Sequence, residues 1–225
     1  MKRVPALLAC AACLGYGAAA DPNAARLGQA AEVFHEIMQA PDKAIPQELL
    51  DRAECVVVIP GVKKGAFVVG VEYGRGFFAC RAKSRQGWSA PGAVRMEGGS
   101  FGFQIGGSET DVIMLVMNER GADRLLSSQF TLGGDASAAA GPVGRSTTAR
   151  TDAFMTAQIL TWSRSRGVFA GLSLTGATLR QDLNSNRALY GKLIENRDIV
   201  RGNVPPPPAA KQFLTLLNKY SPRKG

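Results

Sequence analysis

The chain has 225 residues, 45% of them hydrophobic, which suits one domain with a sizeable core, and its formal charge of +9 makes it basic. It has one histidine, and only two cysteines lie beyond residue 20, which excludes a zinc-finger spacing and a C-x-x-C redox pair in the body of the chain. The charge alone would suit nucleic acid, but basic residues are not interleaved with stacking aromatics, so nucleic acid is not among the expected partners.

Met1-Lys2-Arg3 is a positive start, Val4 to Tyr16 an apolar run, and Ala18 and Ala20 place small residues before Asp21. This is the layout of a secretory signal cleaved after Ala20, too short to remain as a membrane span. The expected localisation is therefore export, to a bacterial periplasm or envelope. "LLAC" ending at Cys10 resembles a lipidation box, and a lipoprotein anchored there ranks second because Val4 to Ala9 is a short apolar region. Cleavage takes Lys2 and Arg3 away, so the formal charge falls from +9 to +7, and it leaves Cys55 and Cys80. Two cysteines in an exported chain predict one disulfide, and both sit at the ends of nearby predicted strands. Three segments follow: residues 1–20 as signal, 21–202 as a single domain, and 203–225 as a proline-rich linker with a basic amphipathic tail.

Helical spacing of Leu27, Ala31, Phe34 and Met38 predicts an amphipathic helix from Arg26 to Gln39, stopped by Pro41. "PQELLDRA" reads as a short second helix with Pro46 in its first turn. "CVVVIP", "GAFVVGVEYG" and "GFFACRAK" are strand signals separated by turn residues. On that reading Lys63 and Lys64 lie in a turn between strands and Arg75 in the next one. Arg81, Lys83 and Arg85 alternate toward a hairpin tip at "SRQG", on one face. A buried strand, "DVIMLVM", precedes a short helix, "ERGADRLLSS", capped by Asn118. "QFTLGGDASAAAG", "AQILTWSRSRG" and "VFAGLSLTGATLR" are further extended segments, and "DLNSNRALYG" a helix. The tail carries Phe213, Leu216, Leu217 and Tyr220 at i, i+3, i+4 and i+7 beside Lys211 and Lys219. From Asn196 to Gly225 it holds six bases and one acid. Most of the 26 glycines fall in the strand region, where they mark bulges, tight turns and close backbone approach. The predicted fold is α+β: a curled, largely antiparallel sheet or barrel-like core flanked by N- and C-terminal helices.

"GPVGRS", Gly141 to Ser146, has the flavour of a phosphate loop but fails its mechanics. A P-loop needs G-x-x-x-x-G-K-[ST]; here the glycines are three apart, Pro142 removes an N–H donor and arginine replaces lysine. The segment reads instead as a sharp bend between extended segments. "GWSAP", "GFQIGGSETDVIMLVMN", "GGDASAAAGPVGR" and "SRSRGVFAGLSLTG" occur in that order, and together they resemble the SYLF domain family, from about Ala30 to about Lys192. The resemblance implies binding to membranes, notably phosphoinositides, through an N-terminal amphipathic helix and basic surface; some members also bind actin filaments. This chain departs from that pattern in its first helix, where one arginine stands against Glu32 and Glu36.

Catalytic chemistry finds little purchase. His35 lies in an amphipathic helix without a second histidine to build on, and Asp111 and Asp182 read as turn or capping residues. No catalytic residue, metal ligand or cofactor is expected. The expected function is association with an anionic phospholipid surface. Its candidate residues are Arg26, Leu27, Phe34 and Met38 of the first helix, Lys63, Lys64 and Arg75 of the strand region, and Lys211, Phe213, Leu217 and Lys219 of the tail. Two alternatives stay open at this stage: a protein-interaction module such as an actin-filament binder or envelope scaffold, and a tail helix that docks back on the domain instead of on a membrane.

Overall fold

The computed structural model describes residues 21–40, 45–66, 70–82, 87–100, 108–142, 156–165, 168–171 and 174–222. The predicted signal, with Cys10, and most of "GPVGRS" lie outside these residues, as do Lys83 and Arg85.

Asp21 opens the first helix, α1 (Pro22–Gln39), by accepting a hydrogen bond from the Asn23 amide at 3.0 Å. The apolar stripe read from the sequence is buried: Leu27, Ala30, Ala31, Phe34 and Ile37 are all fully covered. A short α2 (Gln47–Arg52) follows, and then the sheet begins.

Nine described strands form one sheet: β1 (Cys55–Ala66), β2 (Gly70–Cys80), β3 (Gly92–Ser100), β4 (Ser108–Val116), β5 (Gln129–Thr131), β6 (Ala138–Ala140), β7 (Ile159–Ser165), β8 (Val168–Gly171) and β9 (Thr178–Gln181). Their order is β5-β9-β3-β2-β1-β4-β7-β6, with β8 paired to β7. All pairings are antiparallel except β6 with β7. The end strands β5 and β6 are consecutive in the chain and joined by a tight loop, closed by a bridge between Leu132 and Ala136. The sheet therefore curls on itself, and the predicted α+β class with a curled sheet is what the molecule adopts.

Strand alternation sorts the apolar residues into two cores. Val57, Ile59, Phe78, Val94, Met96, Val112 and Met114 fill the concave side with Phe130 and Leu179. Val56, Val58, Phe77, Ile113, Leu115, Leu160 and Trp162 face the other way, beneath α1 and the C-terminal helix. Helix α3 (Glu119–Leu125) starts on Asn118, whose side chain accepts from the Gly121 amide at 2.9 Å, as the sequence predicts. Helix α4 (Leu183–Tyr190) is capped by Asp182 and stops at Gly191, φ +71°.

Two strand boundaries differ from the sequence reading. Lys63 and Lys64 are not in a turn but in β1, beyond a register shift between Ile59 and Val62. Pro60 and Gly61 (φ +59°) make a bulge there, so punctuation that resembles a strand end only bends the strand. Arg75 is likewise inside β2. Gly74 and Gly76 around it admit the bulged β1 backbone: a Cβ on Gly76 would lie 2.6 Å from Ile59 Cα.

Cys55 and Cys80 face each other across β1 and β2 and form the predicted disulfide. The bridge closes a sequence separation of 25, for which chain entropy gives roughly 3 kcal/mol. Cys80→Ala is expected to lower the urea midpoint correspondingly, and thiol titration of unreduced wild type should find neither cysteine free.

Candidate functional site

The C-terminal segment determines what the sequence-predicted residues can do. After α5 (Asn196–Arg201), which sequence reasoning did not anticipate, the chain runs through the prolines into a 3-10 turn (Pro208–Ala210) and α6 (Lys211–Tyr220). Helix α6 packs on α1. Phe213 and Leu217 are fully buried there with Leu27 and Phe34, while Met38, Leu216 and Tyr220 are half-buried against the same core. Phe34 and Tyr220 meet edge to face at 5.9 Å. The Tyr220 hydroxyl accepts from Gln39 Nε2 at 2.7 Å and lies 2.8 Å from His35 Nδ1. Apolar insertion into a membrane by Phe213, Leu217, Leu27 or Phe34 would therefore first require opening this helix pair. Of the two readings left open for the tail, the structure adopts docking on the domain. Lys211 and Lys219 remain exposed on the outer side of α6, and Arg26 lies at the start of α1 with Nη1 3.3 Å from Asn23 Oδ1.

At the far end of the docked helix the backbone is held by a residue the sequence reading placed on an exposed face. Arg81 is buried, not aligned with solvent. It donates to Ser221 O at 2.8 Å, Ser221 Oγ at 2.5 Å and the carbonyls of Leu50 and Ala53 at 3.3 Å. Its guanidinium stacks on Trp88, 3.9 Å from the ring centroid. Period-two alternation gave its face of the strand, but the C-terminal segment that covers that face was not visible to it.

Lys63 is exposed, and Arg75 is half-exposed. Arg75 Nε donates to the Tyr73 hydroxyl at 2.5 Å and lies 3.5 Å from Asp182 Oδ2. The Tyr73 bond, with the Asp182 charge behind it, holds the guanidinium above its ordinary range. Lys64 follows Lys63 in β1. The strand cations thus stand on β1 and β2 and the tail cations on α6.

Asp111, read as a turn residue, sits in β4 beside Arg164 of β7, with Oδ2 2.7 Å from Arg164 Nε and Oδ1 accepting from the Gly61 amide at 2.9 Å. Arg164 also pairs with Glu36 of α1, tying helix to sheet. Burial raises the Asp111 carboxyl, opposed by the Gly61 N–H, and burial lowers Arg164. A cleft of about 470 Å³ lies over this node, with Glu32 and Glu109 on its walls. No group of three or more His, Cys, Asp or Glu is set to hold a metal ion among the described residues. Of "GPVGRS", Gly141 and Pro142 are described. A Cβ on Gly141 would come 2.5 Å from Trp162 Cδ2, and Pro142 O accepts from the Trp162 indole at 3.0 Å. That is close packing against the outer core.

The molecule is a curled sheet with a helix layer over one face and exposed cations on β1 and α6. Residues 97–220, more than half of the chain, match the family model described as Ysc84, a Las17-binding protein actin regulator, and the chain belongs to this family. It is the SYLF family to which the four motifs pointed. The rat "SH3 domain-containing YSC84-like protein 1" is 32% identical, over 86% of this chain and 58% of the rat protein. From Saccharomyces cerevisiae, "LAS seventeen-binding protein 3" is 33% identical over 82% of this chain and 41% of its own length, and "Protein YSC84" is 35% identical over 78% and 38%. The chain thus spans less than two thirds of each of these relatives.

Proposed function

We propose that this chain is an exported binding module of the actin-regulator type, which acts by docking to a partner and catalyses nothing. The observation that carries this reading is the extent of the match. The match to the yeast relative covers 82% of the chain, and that relative's name describes it by a protein it binds. The test is co-sedimentation of the purified mature chain with actin filaments. Filament-dependent pelleting that saturates is expected; a chain that stays in the supernatant at every filament concentration removes direct filament binding.

A second reading, docking at an anionic phospholipid surface, is favoured by Lys63, Lys211 and Lys219, all exposed. With Phe213 and Leu217 buried, the attraction would be electrostatic, about 1 kcal/mol for each cation near the surface, and screened by salt. Flotation with phosphatidylcholine vesicles, with and without phosphatidylglycerol, is expected to show binding only to the anionic set. That binding should weaken roughly fivefold for each of Lys211→Gln and Lys219→Gln. Equal binding to both vesicle types, or no effect of salt, rules it out.

A further inference from the structure

From Val204 to Pro207 every residue precedes a proline, and the rings of Pro205, Pro206, Pro207 and Pro208 lock φ. Such a run favours the extended, left-handed polyproline helix, and Pro207 has that backbone, at φ −67° and ψ 153°. Three residues complete one turn, so positions three apart share an edge. One edge is turned to the domain. Val204 is half-buried against the cluster of Ala90, Ile194 and Ile199, Pro207 is half-buried, and Ala210 is fully buried. The other two edges are open: Pro205 and Pro208 share one, Pro206 stands on the other, and all three are exposed.

Both ends of the run are fixed. Before it, Arg201 Nη2 lies 2.7 Å from Asp123 Oδ1 of α3, and the Gly202 amide donates to Asp198 O at 2.8 Å. After it, the Ala210 amide donates to Pro207 O at 2.9 Å, and Ala210 joins the outer core. Proline has no N–H, so the run can only accept hydrogen bonds. Among the described residues no backbone amide donates to Pro205 O or Pro206 O. Three neighbouring pyrrolidine rings thus stand in water beside two acceptors that the fold leaves unused. A cleft of about 560 Å³ begins beside Pro208, between α1 and α6, where Ala209 and Leu216 line it with Glu32, His35 and Lys211.

We propose that Pro205–Pro208 is a docking ligand for a partner domain whose groove is lined by aromatic side chains. Grooves of this kind take P-x-x-P segments, exploiting a backbone already in the polyproline form. Pro205 and Pro208 have that spacing, about 9 Å apart along one edge, and Pro206 supplies the neighbouring edge. Because the run is anchored at both ends, little conformational freedom is left to lose on docking, and that loss is a main cost of association. Lys211, exposed beyond Pro208, adds a cation for an acidic margin of the groove. A second copy of this chain fits poorly as the partner: among the described residues Tyr73 is the one exposed aromatic, and it offers no row of rings. The site goes beyond the filament and lipid readings and requires neither.

The test titrates isotope-labelled SH3, WW and EVH1 domains, three kinds that take polyproline segments, with the purified mature chain and follows the groove aromatics by NMR. Saturable shifts are expected in at least one domain, reversed by a free polyproline peptide. Pro205→Ala and Pro208→Ala should each weaken that binding roughly fivefold or more, as truncation of a main anchor does. Pro207→Ala, on the edge turned to the domain, should stay close to wild type, which separates docking of the open edges from a general loss of stiffness. Thermal unfolding of each variant reports its folding. Competition by the peptide uses wild type alone, so it keeps the test decisive if a proline variant folds poorly. No saturable shift in any of the three domains, a peptide that fails to compete, or equal binding by wild type, Pro205→Ala and Pro208→Ala overturns the proposal.

Discussion

A chain ending at Asn203 is expected to lose cooperative folding. The deletion takes away Phe213 and Leu217, both fully buried, each contributing about 1.5–3 kcal/mol by burial. It also uncovers Leu27, Phe34 and Ile37 on the facing side of α1 and strips Arg81 of both Ser221 contacts. Together these exceed roughly 5 kcal/mol, the lower end of a whole domain's stability. Urea unfolding read by Trp88 and Trp162 fluorescence should show a broad, early transition in the truncated protein. Phe213→Ala, a milder version, should cost about 3–5 kcal/mol while keeping one sharp transition. A truncated chain with an unchanged midpoint would show that α6 contributes nothing to the core. Phe213→Ala also bears on function, because membrane docking by charge alone should survive it in whatever fraction stays folded.

The long helix, the strand-rich centre and the caps were legible because each has a local cause. The α1 stripe follows from 3.6-residue spacing, and Asn118 and Asp182 sit where side-chain oxygens meet free amides. The boundaries that failed did so where a non-local contact sets the conformation. "PG" in β1 and the glycines around Arg75 look like turns because turns and bulges use the same residues. Only the neighbouring strand decides between them: Gly76 is a glycine because β1 passes over it. Helix α5 hid for a related reason. "NRDIVR" is too short to display a period, and it is fixed by tertiary contacts, Ile199 and Val200 being buried.

For the candidate site, the sequence supplied residue types but not their company. Phe213 and Leu217 carry the same stripe whether they meet a bilayer or α1, and amphipathicity cannot choose between these. The proline run was legible as a stiff segment, but its open edges were not. They follow from the inward seating of Val204 and Ala210 on cores built from distant parts of the chain.

Arg81→Met is expected to destabilise the protein by about 3–5 kcal/mol, the range for breaking a buried charged network by removing one partner. Arg81 is 7% exposed, and its guanidinium bonds the carbonyls of Leu50, Ala53 and Ser221, which come from α2, the residue that caps α2 and the residue that caps α6. Methionine fills similar space but donates nothing: Ser221 O keeps the Trp88 indole and Leu50 O the Ser221 hydroxyl, while Ala53 O loses Arg81 Nε, a buried bond costing about 1–3 kcal/mol when unmade. Arg81→Lys should fall between the two. It keeps the charge, yet a single ammonium cannot span three carbonyls and loses the planar stack on Trp88. The loss should also be directional. Ser221 is the residue that closes α6, its amide bonded to Leu217 O at 2.9 Å, so releasing it frays the helix from its C-terminal end. Hydrogen exchange in Arg81→Met should therefore accelerate first between Leu217 and Ser221, with the central strands β1 and β4 retaining protection up to the reduced global stability. Uniform acceleration across sheet and helix would mean that Arg81 acts on the fold as a whole and not as the clasp of its C-terminal helix.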